Sequence, residues 1–364
     1  MVKRPLIALI ALFVLMCCLV AACGARKAEA PPAAPPGQAS TPAAPANVSA
    51  QGITGDTLPG RLLFVQQGTI WLWQGNRAAP LIGGGKVWQP AWSPDGTRIA
   101  YIERGESYSD VMLADASGRH LDQLTFNGSK LQLQSHERIY DTMWAFYPTW
   151  APDGSYLIIA AQYAPPFGSP AVEYNLSIFR LTLDGSSTRY QLYADTTAHC
   201  GKIAFPPRPA SASSRARQLV FTHASTEQEG FQQLHLLNLA TNESTPLSGA
   251  PPSSYDPAFS RDGRWLVFTA ANEGKTDIWL LPAPPTSGTP TPRRLTTLGT
   301  ARAPAFSPDG TMLAFLAIPP DKGGFELWVA PLTLDETGNL QLDTPRQVTR
   351  DMYLDADSGV SWAP

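Results

Sequence analysis

One short phrase keeps returning along this chain. It reads Gln89-Pro90-Ala91-Trp92-Ser93-Pro94-Asp95-Gly96, then Tyr147-Pro148-Thr149-Trp150-Ala151-Pro152-Asp153-Gly154. It returns as Asp256-Pro257-Ala258-Phe259-Ser260-Arg261-Asp262-Gly263 and as Ala303-Pro304-Ala305-Phe306-Ser307-Pro308-Asp309-Gly310. Trp362-Ala363-Pro364 is a fifth, shortened copy. A phrase repeated at intervals of this size means one supersecondary unit used many times, because a single unit cannot bury its own apolar face. The architecture is therefore constrained before any residue is considered for chemistry.

Each copy is followed by an apolar run at strand length: Arg98–Ile102, Tyr156–Ala160, Trp265–Thr269 and Met312–Leu316. Asp-Gly between two such runs predicts a hairpin, since glycine accepts positive φ freely and aspartate bonds to nearby backbone. A third strand follows at Asp110–Leu113, Ser177–Leu181, Asp277–Leu280 and Glu326–Val329. A more polar outer strand closes each unit at Gln123-Leu124-Thr125, Gln191-Leu192-Tyr193, Arg294-Leu295-Thr296 and Gln347-Val348-Thr349. Two degenerate units complete the count. One runs from about Lys202 to Leu247; the other, from Arg61 to Leu81, lacks an inner strand, which Gly359–Trp362 would supply. The prediction is an all-β, six-bladed β-propeller of four-stranded antiparallel blades. The C-terminal strand completes the N-terminal blade and leaves no open edge.

The Pro-x-Trp-Ser-Pro-Asp-Gly phrase, its following apolar strand and the outer Leu-Thr resemble the repeats of the TolB-type β-propeller, a WD-repeat-like family. The resemblance covers about residues 58–364. It implies the ring, but the sequence leaves no room for the separate α/β domain that precedes the ring in TolB. The role of TolB in its envelope system is therefore not expected to carry over.

Residues 1–22 place Lys3 and Arg4 before an apolar stretch from Leu6 to Val20, the form of a secretory signal. Val20-Ala21-Ala22-Cys23 resembles a bacterial lipobox, which implies lipidation of Cys23. Acyl chains would then hold the protein at the extracytoplasmic side of a cell or outer membrane, at ~0.8 kcal/mol per buried methylene. Residues 23–57 are rich in Ala and Pro, too poor in large apolar groups to fold, and read as a tether.

The formal charge of −3 becomes −5 once Lys3 and Arg4 leave with the signal, and no Lys/Arg run appears, so nucleic acid is not an expected partner. Of four cysteines, Cys17 and Cys18 lie in the signal and Cys23 takes the lipid. Cys200 remains alone, with no internal disulfide to form.

In a propeller the inner strand of each blade lines the axial channel. The residues before each Pro of the phrase then approach the channel mouth. They point to Trp88, Gln89, Tyr147, Tyr255, Asp256 and Arg302 as ligand-binding candidates, with Asp357 and Trp144 beside them. Insertions at 127–142 and 162–174 lengthen third-blade loops on this same face, where function tends to sit. Those at 206–216, 283–292 and 332–344 read as spacers on the opposite face. Catalytic signals are weak. There is no Gly-x-Ser-x-Gly elbow, and the five histidines show no metal-ligand spacing. The expectation is a monomeric binding ring without cofactor or metal, its partner an envelope protein, peptide or glycan. The alternative is a channel enzyme, a polyuronide lyase or a hydrolase of glycans or peptides.

Overall fold

The computed structural model describes residues 52–364 apart from 133, 208–217 and 285–287. The predicted signal, Cys23 and all of the tether up to residue 51 lie outside the described residues, as does most of the 206–216 insertion.

Six antiparallel sheets follow one another, as predicted. The first pairs Leu58–Gln66, Thr69–Gly75 and Arg77–Ile82, with Ser361–Ala363 as its innermost strand. The other inner strands are Val87–Trp92, Ala145–Trp150, Ala198–Ala204, Ser254–Phe259 and Arg302–Phe306. The C-terminal strand closes the ring by pairing Arg61 with Ala363, Leu62 with Trp362 and Leu63 with Ser361.

The second strands are buried on both faces, which explains their unbroken apolar runs. Neighbouring residues serve opposite junctions. Ile159 packs toward blade two and Ile158 toward blade four; Leu62 packs toward blade six and Leu63 toward blade two. Six apolar clusters result, one at each junction between blades. The core is thus a ring of interfaces in which each blade depends on two neighbours.

The repeated turn is a hydrogen-bonded unit. Ser93 Oγ donates to Asp95 at 2.5 Å and accepts the Arg98 N–H at 2.9 Å. Ser260 and Ser307 repeat the arrangement on Asp262 and Asp309. The Ser93 hydroxyl holds the Asp95 carboxyl down at about 2.

Two expectations change. The Leu-Thr pairs do not belong to the outer strands, which end before them at His120–Gln123, Arg293–Arg294 and Arg346–Gln347. Their threonines turn inward instead. Thr125, Thr296 and Thr349 donate to buried Asp110, Asp277 and Glu326, and accept the N–H of Val111, Ile278 and Leu327. The same carboxylates accept N–H groups of Asn127, Gly299 and Met352, so each clasp fixes the loop that feeds the next inner strand. A polar clasp this deep persists because each carboxyl accepts several hydrogen bonds, although burial still raises the Asp110 pKa. The second change concerns residues 332–344, which are no plain spacer. The strand Glu326–Leu334 runs on and pairs with Leu340–Leu342, burying Leu340 at the junction of blades five and six.

Candidate functional site

Four inner strands share a strained point. Gln89, Tyr147, Asp256 and Ala303 have φ between 50° and 56°, each immediately before a proline. A side chain resists that conformation, at a cost on the order of 1–3 kcal/mol per residue. It coincides with a bulge: the ladder to the second strand breaks between Trp88 and Ala91, Phe146 and Thr149, Tyr255 and Ala258, and Arg302 and Ala305. Proline has no N–H to offer the ladder, so the break falls where a bond is already missing. Gly359 holds the same slot in blade one, with φ 67°. Blade four departs. Its ladder breaks between Cys200 and Ile203, with Gly201 and Lys202 in the gap and no proline.

The candidate residues fall into three groups around this level. Gln89 and Tyr147 line a central cavity of about 520 Å³ that runs down to the turn prolines Pro94, Pro152 and Pro308. Gln89 is buried and its Oε1 accepts the Tyr147 N–H at 2.8 Å, joining blades two and three. Burial, with Asp256 and Asp357 nearby, pushes the Tyr147 phenol up to about 12.

Tyr255, Asp256, Arg302 and Asp357 form a charge network and do not line that cavity. Arg302 Nη1 pairs with Asp357 at 3.0 Å, and Arg302 Nε lies 3.5 Å from Asp256 Oδ2, too poorly directed for a hydrogen bond. The guanidinium also stands 5.4 Å over the Tyr255 ring. Burial alone would lower the Arg302 pKa; the two carboxylates outweigh it and hold it above the ordinary value. Asp256 is buried, whereas the Asp357 side chain is 77% exposed and free to meet a partner.

Trp144 lines a second cavity of about 510 Å³ between blades two, three and four, with Arg104, Phe146, Gln162, Glu173, Tyr174 and His199. Trp144 and Phe146 stack 5.8 Å apart, and Arg104 lies over both Phe146 and Trp88. Trp88 is therefore not a channel residue; it packs between blades and supports Arg104. Gln162 Oε1 accepts the Trp144 N–H while its amide donates to Glu173. His199 Nδ1 accepts the Leu176 N–H at 3.0 Å, and burial lowers its pKa against the pull of Glu173. Cys200 is buried, which raises its thiol pKa and leaves it unreactive.

Arg104, Gln162, Glu173 and His199 were not among the sequence candidates. Three of them lie outside the inner strands, on the second strand of blade two and the third-blade insertion, and only packing of neighbouring blades brings them together. Among the described residues no group of His, Cys, Asp and Glu is placed to hold a metal. No helix among them is long and apolar enough to cross a membrane.

The exposed apolar residues gather here as well. Of twelve large ones in the described chain, seven belong to the third-blade loops, led by Phe126, Tyr163 and Phe167. Tyr174 packs on Phe167 at 5.0 Å, and the Tyr140 hydroxyl donates to Gly168 O, tying one insertion to the other.

No protein-family profile matches the sequence, and no curated protein matches it. Solved structures do. TolB from Acinetobacter baumannii superposes with a TM-score of 0.57 at 17% identity, over 86% of this chain and 68% of that one. A puromycin-hydrolyzing peptidase from Mycobacterium tuberculosis gives 0.50 at 14%, over 82% of this chain and 48% of its own, so this chain spans about half of that enzyme. Oligogalacturonate lyase from Vibrio parahaemolyticus gives 0.45 at 14%, over 82% and 74%. At such identities the likeness is one of fold: a six-bladed propeller of TolB type.

Proposed function

We propose that this TolB-type propeller is a lipid-anchored extracytoplasmic protein that binds a polypeptide partner through the loop face of blades two to four. The observation that carries the reading is the concentration of exposed apolar residues on the third-blade loops, with the aromatic Phe126, Tyr163, Phe167 and Tyr174 among them, beside the cavity at Trp144. Contiguous exposed apolar surface on a folded protein marks interaction sites. Aromatic anchors with a neighbouring Arg are the side chains that dominate binding energy. The partially exposed Arg302–Asp357 pair offers polar contacts at the channel mouth on this face. The lipobox-like Ala21-Ala22-Cys23 and the Ala/Pro-rich tether support presentation of the ring at a membrane surface.

Two measurements test the reading. Envelope membranes solubilised in detergent are passed over immobilised native protein and over Trp144→Ala/Phe167→Ala. A partner held by the native ring is expected to be recovered at least tenfold less on the variant, with the thermal melt of the ring unchanged. Equal recovery would place the contact elsewhere. Separately, Cys23→Ser is expected to move the protein from the membrane fraction to the soluble fraction; retention at the membrane would count against the lipid anchor.

A glycan is the second reading. The stacked Trp144 and Phe146 faces lie beside Glu173 and His199, an aromatic platform next to polar groups that suits a sugar ring.

A further inference from the structure

We propose that the central cavity binds the carboxylate of a small acid with an apolar body, taken head-first onto Lys202. This site is separate from the loop face above and does not rest on that reading.

Lys202 is the residue that blade four places in its ladder break, where other blades carry a left-handed residue and a proline. Its ammonium reaches across the axis to blade one, 3.0 Å from where a Cβ on Gly359 would stand. Among the described residues it has no hydrogen-bond or ion-pair partner there. Ser358 beside Gly359 is 8% exposed, and its Oγ has no partner either. Gln89 has given its Oε1 to Tyr147, which leaves its amide N–H groups and the Tyr147 hydroxyl as further donors on the same cavity. An ammonium, a hydroxyl, an amide and a phenol thus converge with their donor capacity unspent. A buried polar group is normally satisfied, and the Ser358 hydroxyl is an exception that calls for an explanation.

The remainder of the lining selects the class of ligand. Among the described residues no Asp or Glu lines the cavity. Prolines with Phe259, Phe306, Val360 and Trp362 supply its apolar contacts, with Thr149, Ser260, Ser307 and Ser361 between them. At the rim, Arg261 stands where the other copies of the turn carry Pro94, Pro152 and Pro308. Lys202 and Arg261 are thus two departures from the repeat that each add a cation to this cavity. Burial lowers the Lys202 pKa; Asp256 opposes this, but it sits beyond ion-pair distance and is engaged with Arg302. A bound carboxylate would compensate the ammonium with one matching charge, whereas a dianionic phosphate would bring a surplus charge into a buried site. The volume of about 520 Å³ falls in the range of small-molecule pockets, roughly 300–1,000 Å³.

The test is isothermal titration of the full chain in mild detergent with 4-phenylbutanoate, compared with 4-phenylbutan-1-ol and phenyl phosphate. The acid is expected to bind at least tenfold more tightly than the alcohol and no more weakly than the phosphate. Lys202→Met is expected to weaken acid binding tenfold or more, and Ser358→Ala threefold or more, while Trp144→Ala leaves it unchanged. Without ligand, Lys202→Met is expected to melt at or above the native temperature, because it removes a half-buried charge that has no ion-pair partner among the described residues; this separates lost binding from lost folding. Ser358→Ala alters only an unpartnered hydroxyl and carries the test should Lys202→Met fail to fold. Absence of acid binding at millimolar concentration, equal binding of acid and alcohol, tighter binding of the phosphate, or native affinity in either variant would each overturn the assignment.

Discussion

Deletion of residues 359–364 is expected to abolish the cooperative fold. The six residues remove the whole inner strand of blade one and its ladder to Leu58–Gln66. They also remove ties that no other segment supplies. Arg61 donates to Pro364 O at 2.7 Å and to Gly96 O at 2.7 Å while lying over the Trp92 ring, so one guanidinium joins the C-terminus, blade one and blade two. Trp362 Nε1 donates to Pro59 O, and Ser361 Oγ accepts the Trp92 N–H. Losing several net hydrogen bonds at ~1 kcal/mol each and two or three buried side chains at ~2–5 kcal/mol each amounts to about 10 kcal/mol. Whole domains are stable by only ~5–15 kcal/mol. The exposed edge of Leu58–Gln66 would also recruit other chains. Urea unfolding followed by circular dichroism should lose its single sigmoidal transition, and gel filtration should show association. A truncated chain that remains monomeric and melts within a few degrees of native would show that the ring does not need this latch.

The second large effect is expected from Trp150→Ala, at about 3–5 kcal/mol of stability. Trp150 is 6% exposed in the junction of blades two and three. Arg98 of blade two lies 4.7 Å over its ring, and its Nε1 donates to Ala91 O across the junction at 2.9 Å. Truncation therefore leaves a cavity, an unpaired carbonyl and a guanidinium without its aromatic face. Trp150→Phe should recover most of the loss, because it refills the volume while giving up only the hydrogen bond. Trp144→Ala provides the contrast, since Trp144 is only partly buried and borders an open cavity; its cost should stay below about 1 kcal/mol. Equal midpoints for Trp150→Ala and the native chain would mean that this junction relaxes without cost, contrary to the packing.

The site was less legible than the fold, for identifiable reasons. The phrase pointed to the axis through the residues before its prolines, and Gln89 and Tyr147 do line the cavity there. The same rule placed Trp88 at the mouth, but strand alternation turns its ring into the blade junction beneath Arg104. Asp256 and Arg302 sit in different blades, and their pairing could be found only once the ring had closed. Lys202 was visible as the start of a degenerate unit, and its lack of a partner among the described residues is a property of the groups around it rather than of its own sequence. The Leu-Thr signature was seen as an outer edge, because a threonine beside polar residues looks exposed until its buried carboxylate partner, far along the chain, is known.

The sequence by itself determined the repeating unit, the count of six and the closure by the last strand. Those depend on local turn chemistry and on strand-length apolar runs, which each unit carries within its own residues. The tertiary structure alone decided what faces the axis and what remains unsatisfied there. The inner strands bulge at a strained residue, and the groups that meet there come from different blades, Lys202 and Gly359 from opposite sides of the ring. Short-range pattern specifies a blade; the chemistry at the centre arises only where six blades converge.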